Sequence, residues 1–166
     1  MASNVELIIF DSGGSLSAAL PAGAVAVGLL GGHTGIPVTD GLLAALAGDA
    51  DDDDRVHPGW MLKQRVCRLA EDLSVGRRAL YVAGETFGSL YRQEAVGWHD
   101  GRLVYGPSGT CDYESDSHEG YRVVGRADSA INAGLRMMGV RAAGGLDEYA
   151  AAELDRHRFT ADWLEE

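Results

Sequence analysis

The sequence predicts an α+β fold, a single domain with a central antiparallel β-meander packed by several α-helices, and three observations lead there. Asp100-Gly101 joins two short runs of alternating character, 93–98 and 103–105, and supplies the positive φ that a two-residue hairpin requires. A β-branched, apolar run at 79–87 stands just before that hairpin and completes a three-stranded meander. Leu62, Val66, Leu69 and Leu73 recur at four-three-four spacing, which is one face of a helix. A length of 166 residues suits one core, so the expected domain spans 1–166, with an acidic loop at 49–59 and a polar loop at 107–120.

The other elements follow in order. Val5-Glu6-Leu7-Ile8-Ile9-Phe10 is a buried strand that stops at Asp11-Ser12-Gly13-Gly14. The apolar run 24–30 fits a strand or a short helix. Gly31-Gly32-His33-Thr34-Gly35 reads as a turn. Thr39 is placed to cap a short helix over 41–47, and a long helix over 60–74 closes at Gly76. A short strand is expected at 121–124. Asp128-Ser129 opens a helix over 130–138 that ends at Gly139, and a last helix covers 147–156. Residues 160–164 form a capped turn that docks Trp163 on the core.

Charge narrows the function classes. The chain carries 14 basic and 25 acidic residues, a net charge of -11. The acids concentrate at the two ends of the chain, while residues 61–110 hold a small basic excess. Such a field repels phosphate backbones and attracts basic partners, so nucleic-acid binding is not expected. Lys63 is the single lysine, a bias typical of GC-rich bacterial coding. Cys67 falls on the apolar face of the long helix and Cys111 in the polar loop, so no disulfide framework is expected. Without a targeting pattern or an uninterrupted apolar span, the expected location is the cytoplasm, away from membranes.

Catalytic templates fit poorly. Ile8-Ile9-Phe10-Asp11-Ser12-Gly13-Gly14-Ser15-Leu16 resembles the first motif of haloacid-dehalogenase-type phosphatases. The resemblance implies Asp11 as nucleophile and Ser15 as the motif hydroxyl, but Gly13 stands where the acid/base aspartate belongs, so nothing protonates a leaving group. Gly13-Gly14-Ser15-Leu16-Ser17 lacks the last glycine of a nucleophile elbow. Asp112, Glu114 and Asp116 alternate like the first ligands of a calcium loop, yet the sixth position is Ser117 and the twelfth Val123. No histidine pair has metal-ligand spacing, so neither a metal nor a cofactor is expected.

A looser pattern covers 79–164. It runs from Ala79-Leu80-Tyr81-Val82-Ala83-Gly84-Glu85-Thr86-Phe87-Gly88 through Gln93-Glu94-Ala95-Val96-Gly97-Trp98 and Gly106-Pro107 to Asp147-Glu148-Tyr149 and His157-Arg158. This resembles a group of small bacterial cytosolic proteins, some similar in style to the immunity proteins of polymorphic toxin systems. The resemblance implies binding without catalysis.

The leading expectation is therefore a non-enzymatic, acidic protein-binding domain, an immunity-type or regulatory protein with a basic protein partner. Asp51, Asp52, Asp53, Asp54, Asp112, Glu114 and Asp116 would steer that partner, and exposed members of Tyr91, Trp98 and Tyr105 would anchor it. Asp155, Arg156, His157, Arg158 and Asp162 read as a structural ion-pair cluster, with a small anion site as the alternative. A small hydrolase or phosphotransfer enzyme using Asp11 is the second class, and a structural subunit of a larger assembly the third.

Overall fold

The apolar run that opens the chain becomes the middle of a sheet. Strand β1 (Ala2–Asp11) has Leu7, Ile8, Ile9 and Phe10 all buried, so both of its faces are covered. A run without alternation requires that placement. The computed structural model describes residues 2–13, 20–46, 54–88, 90–113 and 119–165. The remaining strands are β2 (Val27–Leu29), β3 (His33–Pro37), β4 (Arg78–Phe87), β5 (Leu90–His99), β6 (Arg102–Cys111) and β7 (Tyr121–Val123). They form one sheet in the order β2-β3-β1-β4-β5-β6-β7. Every pairing is antiparallel except β6 with β7, which makes the sheet mixed.

The meander is β4-β5-β6, as expected, with Asp100 at φ 51° and Gly101 at φ 73° in its tight turn. Two expectations about loops are corrected. His33–Pro37 is a strand, and the turn is confined to Gly31 and Gly32, both at positive φ. Residues 107–111, assigned to the polar loop, continue β6; Thr110 and Cys111 are fully buried there, Thr110 against the start of α3 and Cys111 on the other face beside β7. The open alternative at 24–30 resolves to strand β2.

Helices cover both faces. Helices α1 (Asp40–Ala45) and α2 (Gln64–Leu73) lie on the face bearing Ile8, Phe10, Tyr81, Ala83, Val96 and Trp98. Helices α3 (Ala130–Met137) and α4 (Glu148–Ala151), with the 3-10 turn Thr160–Glu165, cover Val5, Leu7, Ile9, Leu80, Val82 and Ala95. Strand alternation thus splits the apolar residues into two cores, one on each side of the sheet. Thr39 caps α1 through Leu42 N at 3.2 Å, and Ser129 caps α3 through Asn132 N at 3.4 Å. Trp163 is fully buried, as expected of the docked turn.

Helix α2 begins four residues later than its apolar spacing predicts. The buried Glu94 carboxylate takes the backbone N–H of Met61 (2.8 Å) and of Leu62 (2.9 Å), so those residues leave the helix to bind the sheet. Helix α4 stops well before 156, because Glu153 turns the chain at φ 60° and Leu154 plunges into the core.

Candidate functional site

The lower end of the sheet, on the α3/α4 face, opens into a polar cleft of about 400 Å³. Its floor follows from register and alternation. Val5, Gly84 and Gln93 form one cross-strand row, and Ser3, Thr86 and Tyr91 form the next. These rows continue the face that carries Leu7, Ile9, Leu80, Val82 and Ala95 higher up, but here the side chains become small or polar. A Cβ on Gly84 would meet Ile131 Cδ1 at 3.3 Å and Val5 Cγ1 at 3.5 Å, so the glycine keeps the inner floor low. Arg126, Tyr149, Asp155, His157 and Arg158 line its sides.

The cleft is rich in hydrogen-bond donors. The Tyr91 hydroxyl is buried and has no hydrogen-bond partner among the described residues. Burial and the charge of Asp112 push its phenol above the usual value, opposed by the charge of Arg126. The hydroxyl is therefore a protonated donor at neutral pH. Arg126 donates Nε–H to Asp147 Oδ2 at 2.9 Å, which holds the guanidinium in place and leaves its terminal amino groups to the cleft. Asp147 is itself fixed as the cap of α4, through Ala150 N at 2.9 Å. Gln93 accepts from Ile131 N with its oxygen, at 3.4 Å, and keeps its amide hydrogens. Burial, followed by the charge of Asp155, pushes the Tyr149 phenol up, with Arg126 opposing.

Of the residues expected to act, Tyr91, Asp155, His157 and Arg158 meet at this cleft. The C-terminal cluster also tethers its own segment. Arg156 pairs with Glu153 and stacks over Trp163 at 5.3 Å, and His157 meets Trp163 edge-on at 4.9 Å. Arg158 donates to Ala2 O at 2.8 Å and lies over Phe159 at 5.5 Å, while Asp162 accepts from Phe159 N at 3.2 Å.

The surface anchors are corrected. Trp98 is only 5% exposed and packs in the α1/α2 core. Tyr105 is half-buried and donates its hydroxyl to Ala130 O at 2.8 Å. They face opposite sides of the sheet, and both are covered because helices pack on each face, α2 over Trp98 and α3 over Tyr105. The exposed apolar residues of this hairpin are Leu103 and Val104. Asp54 is no free surface charge either: it accepts from Arg65 N at 3.2 Å, at the start of α2, and pairs with the Arg65 side chain at 2.9 Å. Asp112 accepts from Tyr91 N at 3.1 Å. Asp51, Asp52, Asp53, Glu114, Asp116 and Ser15 lie outside the described residues.

Asp11 is occupied as a structural anion. Its carboxylate takes Nε (2.9 Å), Nη2 (3.2 Å) and backbone N (3.2 Å) of Arg78, and lies 3.4 Å from His33 Nε2. Burial pushes its carboxyl up, but the hydrogen bonds and charge of Arg78, helped by His33, outweigh that and hold it below the usual carboxylate value. Both oxygens are already bound, which leaves neither lone-pair set aimed at a substrate. Among the described residues no group of three or more His, Cys, Asp or Glu side chains is placed to hold a metal ion, and no helix is long and apolar enough to cross a membrane.

Arg126, Tyr149 and Gln93 are the cleft residues that sequence reasoning missed. One signal was present: Ser3, Thr86 and Tyr91 break the apolar face of their strands at the same end of the sheet. Comparison with protein-family models, with curated proteins and with solved structures returned no match.

Proposed function

We propose that the protein is a non-catalytic binding domain, of the immunity or regulatory kind, whose partner is a basic protein. The observation that carries this reading is the use the fold makes of its buried ionisable groups. Asp11 is bound by Arg78, Glu6 by Lys63 and Tyr81, Glu94 by Met61, Leu62 and Tyr121, and Asp54 by Arg65. A catalytic acid, base or nucleophile has to keep a lone pair or proton facing substrate. These groups spend theirs on backbone and side chains.

Ion pairing sharpens the electrostatic case. Lys63, Arg65, Arg78, Arg92, Arg126 and Arg136 are each committed to an acid. Since bases are the minority, pairing removes a larger share of them than of the acids, and the net charge of -11 is left with few bases to screen it. A field of this sign accelerates encounter with a cationic surface and weakens with salt.

The experiment is capture of partners with the intact chain from its native host, followed by association kinetics of the purified partner across salt concentrations. The expected partner is basic, with an on-rate that falls steeply as salt rises. Capture of neutral or acidic proteins alone, or an on-rate indifferent to salt, overturns the reading.

A further inference from the structure

Beyond the binding of a basic protein, we propose that the cleft is an oxyanion site, which seats a small carboxylate- or phosphate-bearing ligand against Tyr91 and Arg126. The lining sets the chemistry. The side chains it presents include two guanidinium groups, Arg126 and Arg158, and the His157 imidazole, against the carboxylate of Asp155. Arg92 and Glu85 pair at 3.0 Å on the α2 side of the sheet, so Arg126, bound to Asp147 through Nε alone, and Arg158 are the guanidinium groups at the cleft. Guanidinium groups favour oxyanions because their planar forks match two oxygens at once.

Tyr91 supplies the second argument. A buried hydroxyl without a partner costs the fold about 1–3 kcal/mol. The cost is removed when the Tyr91 ring, which lines the cleft, turns its enclosed hydroxyl to a ligand oxygen. Arg126 lines the same cleft as Tyr91, which brings a second donor to one cavity. Asp147 binds Arg126 through Nε alone, so its two terminal amino groups are open to a ligand. Asp155, also in the lining, repels an anion and so favours seating at the guanidinium groups.

Size limits the ligand. The floor spans β1, β4 and β5, two strand spacings or roughly 10 Å. With about 400 Å³ available, the cleft accommodates a small molecule or a single side chain, and not a polymer backbone.

The test uses the full chain, titrated separately with inorganic phosphate and with succinate at an ionic strength fixed by chloride. Amide shifts of Thr86, Gly88 and Tyr91 report the cleft. Saturable shifts confined to these residues and their neighbours are expected with at least one probe, and the tighter of the two identifies the head group. Tyr91→Phe, which keeps the ring, should weaken binding about fivefold. Arg126→Gln, at an exposed position that the fold tolerates, should weaken it at least about tenfold. Arg102→Gln, exposed at the β5–β6 turn at the other end of the sheet, should leave it unchanged. No saturable shift with either probe up to about 50 mM would overturn the proposal, since that limit leaves less than about 2 kcal/mol of binding. Saturable binding that survives both Tyr91→Phe and Arg126→Gln overturns it equally.

Discussion

Glu6 and Glu94 stand in one cross-strand row with Ala83 between them, and both carboxylates reach the same short stretch of chain before α2. Glu6 accepts from Lys63 Nζ at 2.8 Å and from the Tyr81 hydroxyl. Glu94 accepts from the backbone N–H groups of Met61 and Leu62 and from the Tyr121 hydroxyl. Each acid is thus paired with a tyrosine on the sheet and with residues 61–63 above it. The row ends at Gly109 and Tyr121. A Cβ on Gly109 would overlap the Tyr121 ring and lie 2.9 Å from Trp60, so the glycine makes room for both rings, which meet edge-on at 71°.

The first prediction concerns Glu94. Replacing a fully buried acid by an apolar residue often stabilises a protein, but here Glu94→Met should destabilise it by about 2–4 kcal/mol, because two backbone N–H groups lose their acceptor. Glu94→Gln should cost only about 1 kcal/mol. Its remaining oxygen can still accept from Met61 and Leu62, and the Tyr121 hydroxyl can turn from donor to acceptor. Urea denaturation of the two variants measures the difference. A Met variant as stable as the parent would mean that the carboxylate does not hold this segment.

This row also marks the limit of what the sequence disclosed. The meander, β1, the caps Thr39 and Ser129, and the docking of Trp163 were legible, because each rests on local signals: alternation, a turn dipeptide, a side-chain oxygen before a helix. The start of α2 was not. Its apolar spacing extends to Trp60, and only a carboxylate 33 residues away on β5 pulls Met61 out of the helix. The strand at His33–Pro37 was hidden by its local glycines: Gly31 and Gly32 do form a turn, but Gly35 belongs to the strand and packs against Leu29 and Val27. The cleft was half legible. Tyr91 and the Asp155–Arg158 stretch stood out as chemistry, while Arg126 and Gln93 acquire meaning only once the register sets them beside Tyr91.

The second prediction concerns acid. The Asp11 carboxyl is held below its ordinary value of 3.8, despite burial, by Arg78 and His33. A group depressed in the folded state contributes stability that is complete above the unfolded value and is lost as pH falls through the folded one. The chain should therefore lose stability progressively below about pH 4 from this site. Burial raises Glu94, net of its donors, so Glu94 acts with the opposite sign, its contribution growing as pH falls. In Asp11→Asn the depressed carboxyl is gone, and the difference in melting temperature between pH 7 and pH 3 should shrink. An identical pH profile in parent and variant would show that the Asp11–Arg78 contact carries no stability.

The third prediction concerns the two thiols, which the fold makes unreactive by different means. Burial, then the charges of Asp54 and Glu71, pushes the Cys67 thiol up to about 12, from an ordinary 9.0. At pH 8 its thiolate is then about a thousandfold scarcer than that of a free cysteine. Cys111, expected in a polar loop, is fully buried at the end of β6 and donates to Tyr113 O at 3.3 Å. Neither should react with iodoacetamide at pH 8 in the native state, and both should react once the chain is unfolded. Below the unfolding midpoint, slow labelling should begin at Cys67, because α2 rests on one face of the sheet whereas β6 is hydrogen-bonded into it. Mass spectrometry of partly labelled protein identifies which cysteine reacts first. Rapid labelling of either thiol in the native protein, or Cys111 reacting ahead of Cys67, would contradict this order of opening.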